Sequence, residues 1–359
     1  MDKHIRALSL TVFLFCFHQV VTTAQVTRAE RPVENFMALW STFSDHYANF
    51  ELKQVDWDQV YEQYRPLVND SMSNRALFET MCSMLQLLND GHVTLTADRS
   101  LDEIECGPPY NFKLDEAFPT AEDWEAFEDV IDTTLRQAGF STVMRAYVNR
   151  ATNFQFRVSE RFGYLRLDEM TEAYTLGRFN QALNRAMFRF KSLEGLIIDL
   201  RFNGGGSDEI AYRLASRLMA QEDTLGHYVR TRIEGTDQYT GQEYYEIMAR
   251  GRDRFTGPIV ILTSDFTASA AEVFVLLMKD LPRVSQVGDT TEGIFSDMFE
   301  FRLPNRWEVS LSHQQFFSRD GINYEGLGLT PDVMVINTPA DLKSGVDPVI
   351  IAALARLDD

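Results

Sequence analysis

Ser269 stands in Asp265-Phe266-Thr267-Ala268-Ser269-Ala270-Ala271-Glu272, where an apolar run over 258–263 gives way to a helical pattern. A serine at a helix start is most often its N-cap. It can also be a nucleophile, with the oxyanion formed beside it held by the next backbone N–H, that of Ala270. A second apolar run ends in Asp199-Leu200-Arg201-Phe202-Asn203-Gly204-Gly205-Gly206. Three glycines there make a tight turn, or let a ligand approach the backbone and turn N–H groups toward an anion. No Gly-Lys-Ser/Thr follows, which argues against a phosphate loop. A serine nucleophile needs a base. His92, in Asp90-Gly91-His92, follows a turn where two regions of the chain meet, and clefts form at such borders. Glu325, between Tyr324 and Gly326, could orient a base or simply face solvent. No CxxC or HExxH occurs, so neither a metal nor a cofactor is expected.

These residues need elements to position them. Apolar spacing of three and four predicts helices from Val33 past Tyr47, over 57–67 and over 76–88, with Asp56 and Ser73 or Asn74 as caps. The expected N-terminal helical domain covers 25–95 and ends in the His92 turn. Residues 96–160 form a connecting segment, with an acidic helical pattern over 121–138 and possible strands over 142–158. From 161 to 359 strands and helices alternate. Buried strands are expected over 163–167, 195–200 and 258–263, and helices over 176–190, 208–220, 269–279 and 348–356. Further strands fall near 284–287, 298–303 and 308–311. That pattern predicts an α/β core.

The chain has 359 residues and a net charge of −19, which disfavours a nucleic-acid partner. Lys3 and Arg6, the apolar stretch 7–21 and the small residues 22–24 have the layout of a signal peptide over 1–24. An uncleaved anchor is the alternative. The expected product is periplasmic or secreted, without stable membrane insertion. Cys82 and Cys106 then remain and could form one disulfide in an oxidising compartment.

Taken in order, Asp199-Leu200-Arg201-x-Asn203-Gly-Gly-Gly, Thr267-Ala268-Ser269-Ala270-Ala271-Glu272, Val287-Gly288-Asp289-Thr290-Thr291-x-Gly293 and Glu325-Gly326-x-Gly-x-x-Pro331-Asp332 resemble the tail-specific, or C-terminal processing, serine peptidases. The resemblance covers roughly 35–95 and 160–340 and implies a Clp/crotonase-like α/β core behind the small helical domain. The best-known branch uses a Ser–Lys dyad, but Ile294 follows Gly293, and no lysine lies between Lys279 and Lys343. The chain is more similar to the tricorn-core branch. That likeness implies Ser269 as nucleophile, His92 as base, Glu325 as its orienting partner, and the N–H groups of Gly205 and Ala270 as the oxyanion hole. A peptide-reading PDZ domain, common in the family, has no convincing pattern over 96–160. The implied function is an endopeptidase acting on polypeptides. The alternatives are a non-catalytic binder of apolar ligands on the same fold, or an esterase.

Overall fold

The structure is a computed structural model that describes residues 31–97, 104–108, 112–146, 154–170 and 176–359. The expected signal segment over 1–24 lies outside the described residues.

Four helices come first: α1 (Pro32–His46), α2 (Phe50–Lys53), α3 (Trp57–Tyr64) and α4 (Asn74–Leu85). Asp56 caps α3 by accepting the Gln59 N–H at 3.0 Å, and Ser73 caps α4 by accepting that of Ala76 at 3.2 Å. Strands β1 (Thr94–Thr96) and β2 (Glu105–Cys106) follow. Then come α5 (Lys113–Ala117), α6 (Ala121–Gln137), β3 (Met144–Ala146), β4 (Phe154–Val158) and β5 (Phe162–Leu167). The chain continues through α7 (Leu176–Phe190), β6 (Gly195–Asp199), α8 (Asp208–Ser216), β7 (Leu225–Thr231), β8 (Glu243–Ile247) and β9 (Ile259–Thr263). It ends with α9 (Ala270–Met278), β10 (Val284–Gly288), β11 (Met298–Arg302), β12 (Glu308–Ser312), β13 (Gln314–Ser318), β14 (Val333–Met334), α10 (Pro339–Ser344) and α11 (Pro348–Asp358).

The central sheet has seven strands in the order β14-β10-β9-β6-β5-β4-β3. The five from β14 to β5 are parallel, while β4 and β3 add antiparallel. Its strands are apolar on both faces because helices cover both. Leu196, Ile198, Ile259 and Ile261 pack into the core under α7, α8 and α9. The alternate residues Ile197, Val260 and Leu262 pack against α6 and α11. A three-stranded sheet, β13-β7-β8, lies beyond α8 and α9.

Two placements differ from the sequence reading. Helix α6 and strands β3 and β4 belong to the core layers, so the described part of 96–160 is more than a connection. Strands β11 and β12, expected in the core, instead complete the sheet β11-β12-β1-β2. Val309 and Leu311 of β12, with Leu303 and Trp307 of the turn before it, fill the same cluster as Phe36, Phe43 and Met81 of the N-terminal helices. Pairing partners far apart in sequence leave no local pattern to read.

Cys82 of α4 and Cys106 of β2 are joined in a disulfide that closes a 24-residue separation around the His92 turn. In the chain-entropy account such a loop contributes roughly 3 kcal/mol. Reduction, or Cys82→Ser with Cys106→Ser, should lower unfolding stability by about that amount. Urea titrations of oxidised and reduced protein measure it; identical midpoints would show that the bridge constrains nothing.

Candidate active site

Ser269 sits between β9 and the first turn of α9 with φ 53° and ψ −125°. A non-glycine residue there costs on the order of 1–3 kcal/mol, so its surroundings must impose it. They do so from three sides. Thr267 Oγ1 donates to Leu200 O at 2.9 Å, and Ala268 N–H to Asn203 O at 3.1 Å, which stitches this loop to the glycine run after β6. The Ser269 N–H lies between Ile294 O at 3.1 Å and Glu272 Oε2 at 3.2 Å. Gly205, with φ +100°, closes the third side: a Cβ on it would come within 2.6 Å of the Ser269 Cβ. Only glycine fits there.

The Gly205 N–H, however, donates to Asn203 Oδ1 at 2.8 Å. It is therefore committed to its own loop and is not presented to a ligand. Gly206 has no such bond and sits exposed beside it. The Met170 bridge uses the Gly205 carbonyl and the Ser207 N–H, leaving the Gly206 N–H between them without an acceptor among the described residues. The Ala270 N–H, first of α9, is likewise without an acceptor among the described residues.

Glu272, fully buried, is the residue that organises this corner. Its Oε1 accepts from Thr291 Oγ1 at 2.5 Å and Gly293 N–H at 2.8 Å. Its Oε2 accepts from Ile294 N–H at 2.8 Å as well as from Ser269. One carboxyl group thus fixes the serine and the 291–294 segment together.

The same segment receives His92. A Cβ on Gly91 would touch Ile294 Cγ2 at 3.0 Å, so the histidine turn packs on the residue whose carbonyl holds Ser269. Buried Asp90 shapes that turn, accepting from His92 N–H at 2.9 Å, Ser312 Oγ at 3.1 Å and Tyr47 OH at 2.8 Å. The His92 side chain faces the Ser296 backbone, and its Nδ1 is buried without a partner. No hydrogen bond joins it to Ser269.

Glu325 is buried and comes up to the same stretch, its Oε2 accepting from Phe295 N–H at 2.8 Å and Ser296 N–H at 3.1 Å. Its Oε1 is buried and unpartnered. Glu325 and His92 therefore meet Ser296 from its N–H and its remaining backbone, but do not bond to each other. Lys279 is at the far end of α9, roughly 15 Å along the axis from Ser269. Lys191 pairs with Asp253 at 2.9 Å.

Burial sets the electrostatics. It lowers the His92 pKa below the ordinary imidazole value, against the opposing pull of Asp90 and Asp297. It pushes Glu272 up to about 7, and Glu292 and Glu325 up to about 8. The carboxylates that act on His92 are Asp90 and Asp297, and desolvation outweighs both. Sequence reasoning gave no role to Glu272, Asp90 or Asp297. The spacing of Glu272 three residues after Ser269 was the available signal, since N3 is the capping-box position.

Residues 161–335 match peptidase family S41, and residues 28–86 match the tricorn protease C1 domain. The carboxy-terminal-processing protease of Bartonella bacilliformis is 26% identical over 195 residues, 54% of this chain and 43% of that protein. The tricorn protease of Thermoplasma acidophilum is 26% identical over 228 residues, 63% of this chain and 19% of that one. The chain thus aligns with less than half the length of these curated relatives. Among solved structures, a putative peptidase from Parabacteroides merdae superposes with a TM-score of 0.73 at 28% identity, over 92% of this chain and 97% of its own. Mature CPAF, with a TM-score of 0.62 at 13% identity over 91% and 95%, shares the fold.

Raised carboxyl pKa values have a consequence for stability. Glu272, Glu292 and Glu325 hold protons in the folded state that the unfolded chain, near 4.3, has lost. Their contribution is present at low pH and is lost as pH rises through about 7 to 8. Buried neutral His92 acts oppositely, but only below about 6.5. Cooling from the thermal midpoint is not needed to see this: the midpoint itself should rise as pH falls from 8 to 6.5. Glu272→Gln should leave two of the four donors without an acceptor, costing about 1–3 kcal/mol each. Calorimetry across that pH range checks both; a midpoint that falls on acidification contradicts the first.

Proposed function

We propose that this chain, which carries a peptidase family S41 domain behind a tricorn protease C1 domain, is a serine endopeptidase acting through an acyl-enzyme on Ser269. The observation that carries this reading is the strained backbone of Ser269, imposed at a helix start against Gly205. That arrangement exposes a hydroxyl at a strand-to-helix elbow and aims the free Ala270 N–H past it.

Ser269 Oγ attacks the peptide carbonyl while His92 takes its proton, then returns it to the leaving amine. The low His92 pKa keeps the imidazole neutral and competent as a base at neutral pH. The oxyanion lies between the N–H groups of Ala270 and Gly206. Water then hydrolyses the acyl-enzyme by the same proton path in reverse. Glu325 Oε1 and His92 Nδ1 are both buried and unsatisfied near Ser296. A bridging water or a small shift of 294–297 would join them, so that Glu325 stabilises the imidazolium formed during turnover. The same shift closes the Ser269–His92 pair, because Ile294 and Ser296 border both; such bonds commonly tighten only with substrate bound.

The disulfide suits an oxidising compartment, and with the signal-like opening of the sequence it supports a periplasmic or secreted enzyme. No helix among the described residues is long and apolar enough to cross a membrane. The cavity beside Gly206 carries Asp208, Glu209 and Asp297, which does not suit a carrier of apolar ligands.

A fluorophosphonate probe should label Ser269, and Ser269→Ala should abolish both labelling and peptide cleavage in a folded protein. His92→Ala should lose on the order of a thousandfold in kcat/KM. Activity should fall on the acid side with a midpoint below about 6.5. Near-normal turnover by His92→Ala would exclude it as the base.

A further inference from the structure

Next to Gly206 the surface opens into a cavity of about 350 Å³. That is room for one long side chain. Gly206 adjoins Gly205, which abuts Ser269, and Asp297, which also lines the cavity, is close enough to act on His92. A group in this cavity therefore belongs to a residue flanking the bond under attack.

Two carboxylates line it, Asp208 in the first turn of α8 and Asp297 just before β11. Asp208 accepts only the Tyr212 hydroxyl at 3.2 Å, and neither carboxylate joins an ion pair among the described residues. Burial and the charge of Asp297 push Asp208 up to about 7, opposed by the Tyr212 hydrogen bond. Two acids facing one space without a cation repel each other, and a bound cation relieves both.

The remaining wall is aromatic. The His227 ring stacks between Tyr245, with centroids 4.9 Å apart, and Phe316, at 4.2 Å. His227 is the one group there that could repel a cation, but burial holds it down to about 3, and its Nε2 meets Tyr212 OH at 2.7 Å. It is neutral in the working range. An acidic side chain would be repelled here, and an aliphatic one would cover two carboxylates without pairing them. A lysine or arginine lays its stem on the rings and offers donors to both acids.

We propose that this cavity is the subsite for a lysine or arginine side chain next to the cleaved bond, making the enzyme selective for basic sequences. The inference rests on the peptidase reading above. The net charge of −19 would favour encounter with such substrates.

The test uses the full chain and peptide pairs identical except for arginine against citrulline, and lysine against norleucine, scanned through the positions around the cleavage site. At one flanking position kcat/KM should favour the charged member at least tenfold. Asp208→Asn and the exposed Asp297→Asn should each collapse that ratio several-fold, with fluorophosphonate labelling of Ser269 reporting an intact nucleophile. A ratio near one in the parent protein overturns the subsite. So does a ratio that survives in both variants. If Asp208→Asn fails to fold, Asp297→Asn alone decides. A parent protein whose Ser269 takes no probe, and which cleaves neither member of any pair, overturns the peptidase reading instead, and the subsite with it.

Discussion

The site depends on one carboxyl group with four donors. Glu272 receives the Ser269 N–H from its own helix turn and Thr291, Gly293 and Ile294 from a segment that follows β10. Without it the elbow at Ser269 would lack its strongest local reason to hold a positive φ, and 291–294 would lose its anchor. That segment in turn supplies the surface on which Gly91 packs and leads directly into Phe295 and Ser296, which bond Glu325. Every candidate catalytic side chain is thus one or two contacts from Glu272. A buried acid is costly unless its hydrogen bonds are satisfied, and here the donors come from two parts of the chain. The arrangement specifies one relative position for the two.

A second buried group anchors the framework behind the site. Arg201, 1% exposed, bonds Asp199 through two nitrogens and reaches Asn337 and Asp347, both at 2.8 Å. It ties the end of β6 to the start of α11, whose first N–H groups Asp347 caps. This explains the Asp199-Leu200-Arg201 part of the motif structurally: its charges never meet substrate. The glycines that follow emerge at the carboxyl ends of the parallel strands, where α/β sheets place their ligands. Substitution of one partner would leave buried charge unpaired, which is why the triplet and Asp347 act as a unit.

The fold was legible where burial imposes a repeating pattern. The 163–167, 195–200 and 258–263 runs are strands, and 176–190 is α7 with the same boundaries, because apolar spacing and strand length follow from the two covered faces of the sheet. The sheet β13-β7-β8 was not read at all. Strand β8 has four of its five residues exposed or half-buried, and Glu243 and Glu246 on it carry no core signal. The membership of β11 and β12 was misplaced because register with β1, more than two hundred residues away, is a property of the assembled chain. At the site, ordered motifs singled out Ser269, His92 and Glu325 as candidates, and the structure brings all three to the 294–296 segment. The choice of Gly205 as oxyanion donor went wrong for a local reason: Asn203, two residues earlier, takes that N–H in an Asx turn.

The same desolvation governs both halves of the chemistry. A site with Asp90 and Asp297 acting on one imidazole, and with Glu292 and Glu325 close to Asp90 in turn, would be expected to keep that imidazole protonated and useless as a base. Burial acts against this twice, by penalising the imidazolium and by keeping Glu292 and Glu325 largely, and Glu272 partly, protonated near neutrality. The resting site can therefore be rich in carboxyl groups and poor in charge. In the proposed mechanism, His92 becomes a new buried cation once it takes the Ser269 proton, and the nearest buried acid gains by ionising. The carboxyl best placed to do so is Glu325, which already has an open oxygen, two backbone donors on its other oxygen, and Lys53 nearby to favour the anion. Positive charge on His92 and negative charge on Glu325 would then arise together, in a medium that strengthens their attraction and that neither ion could occupy alone.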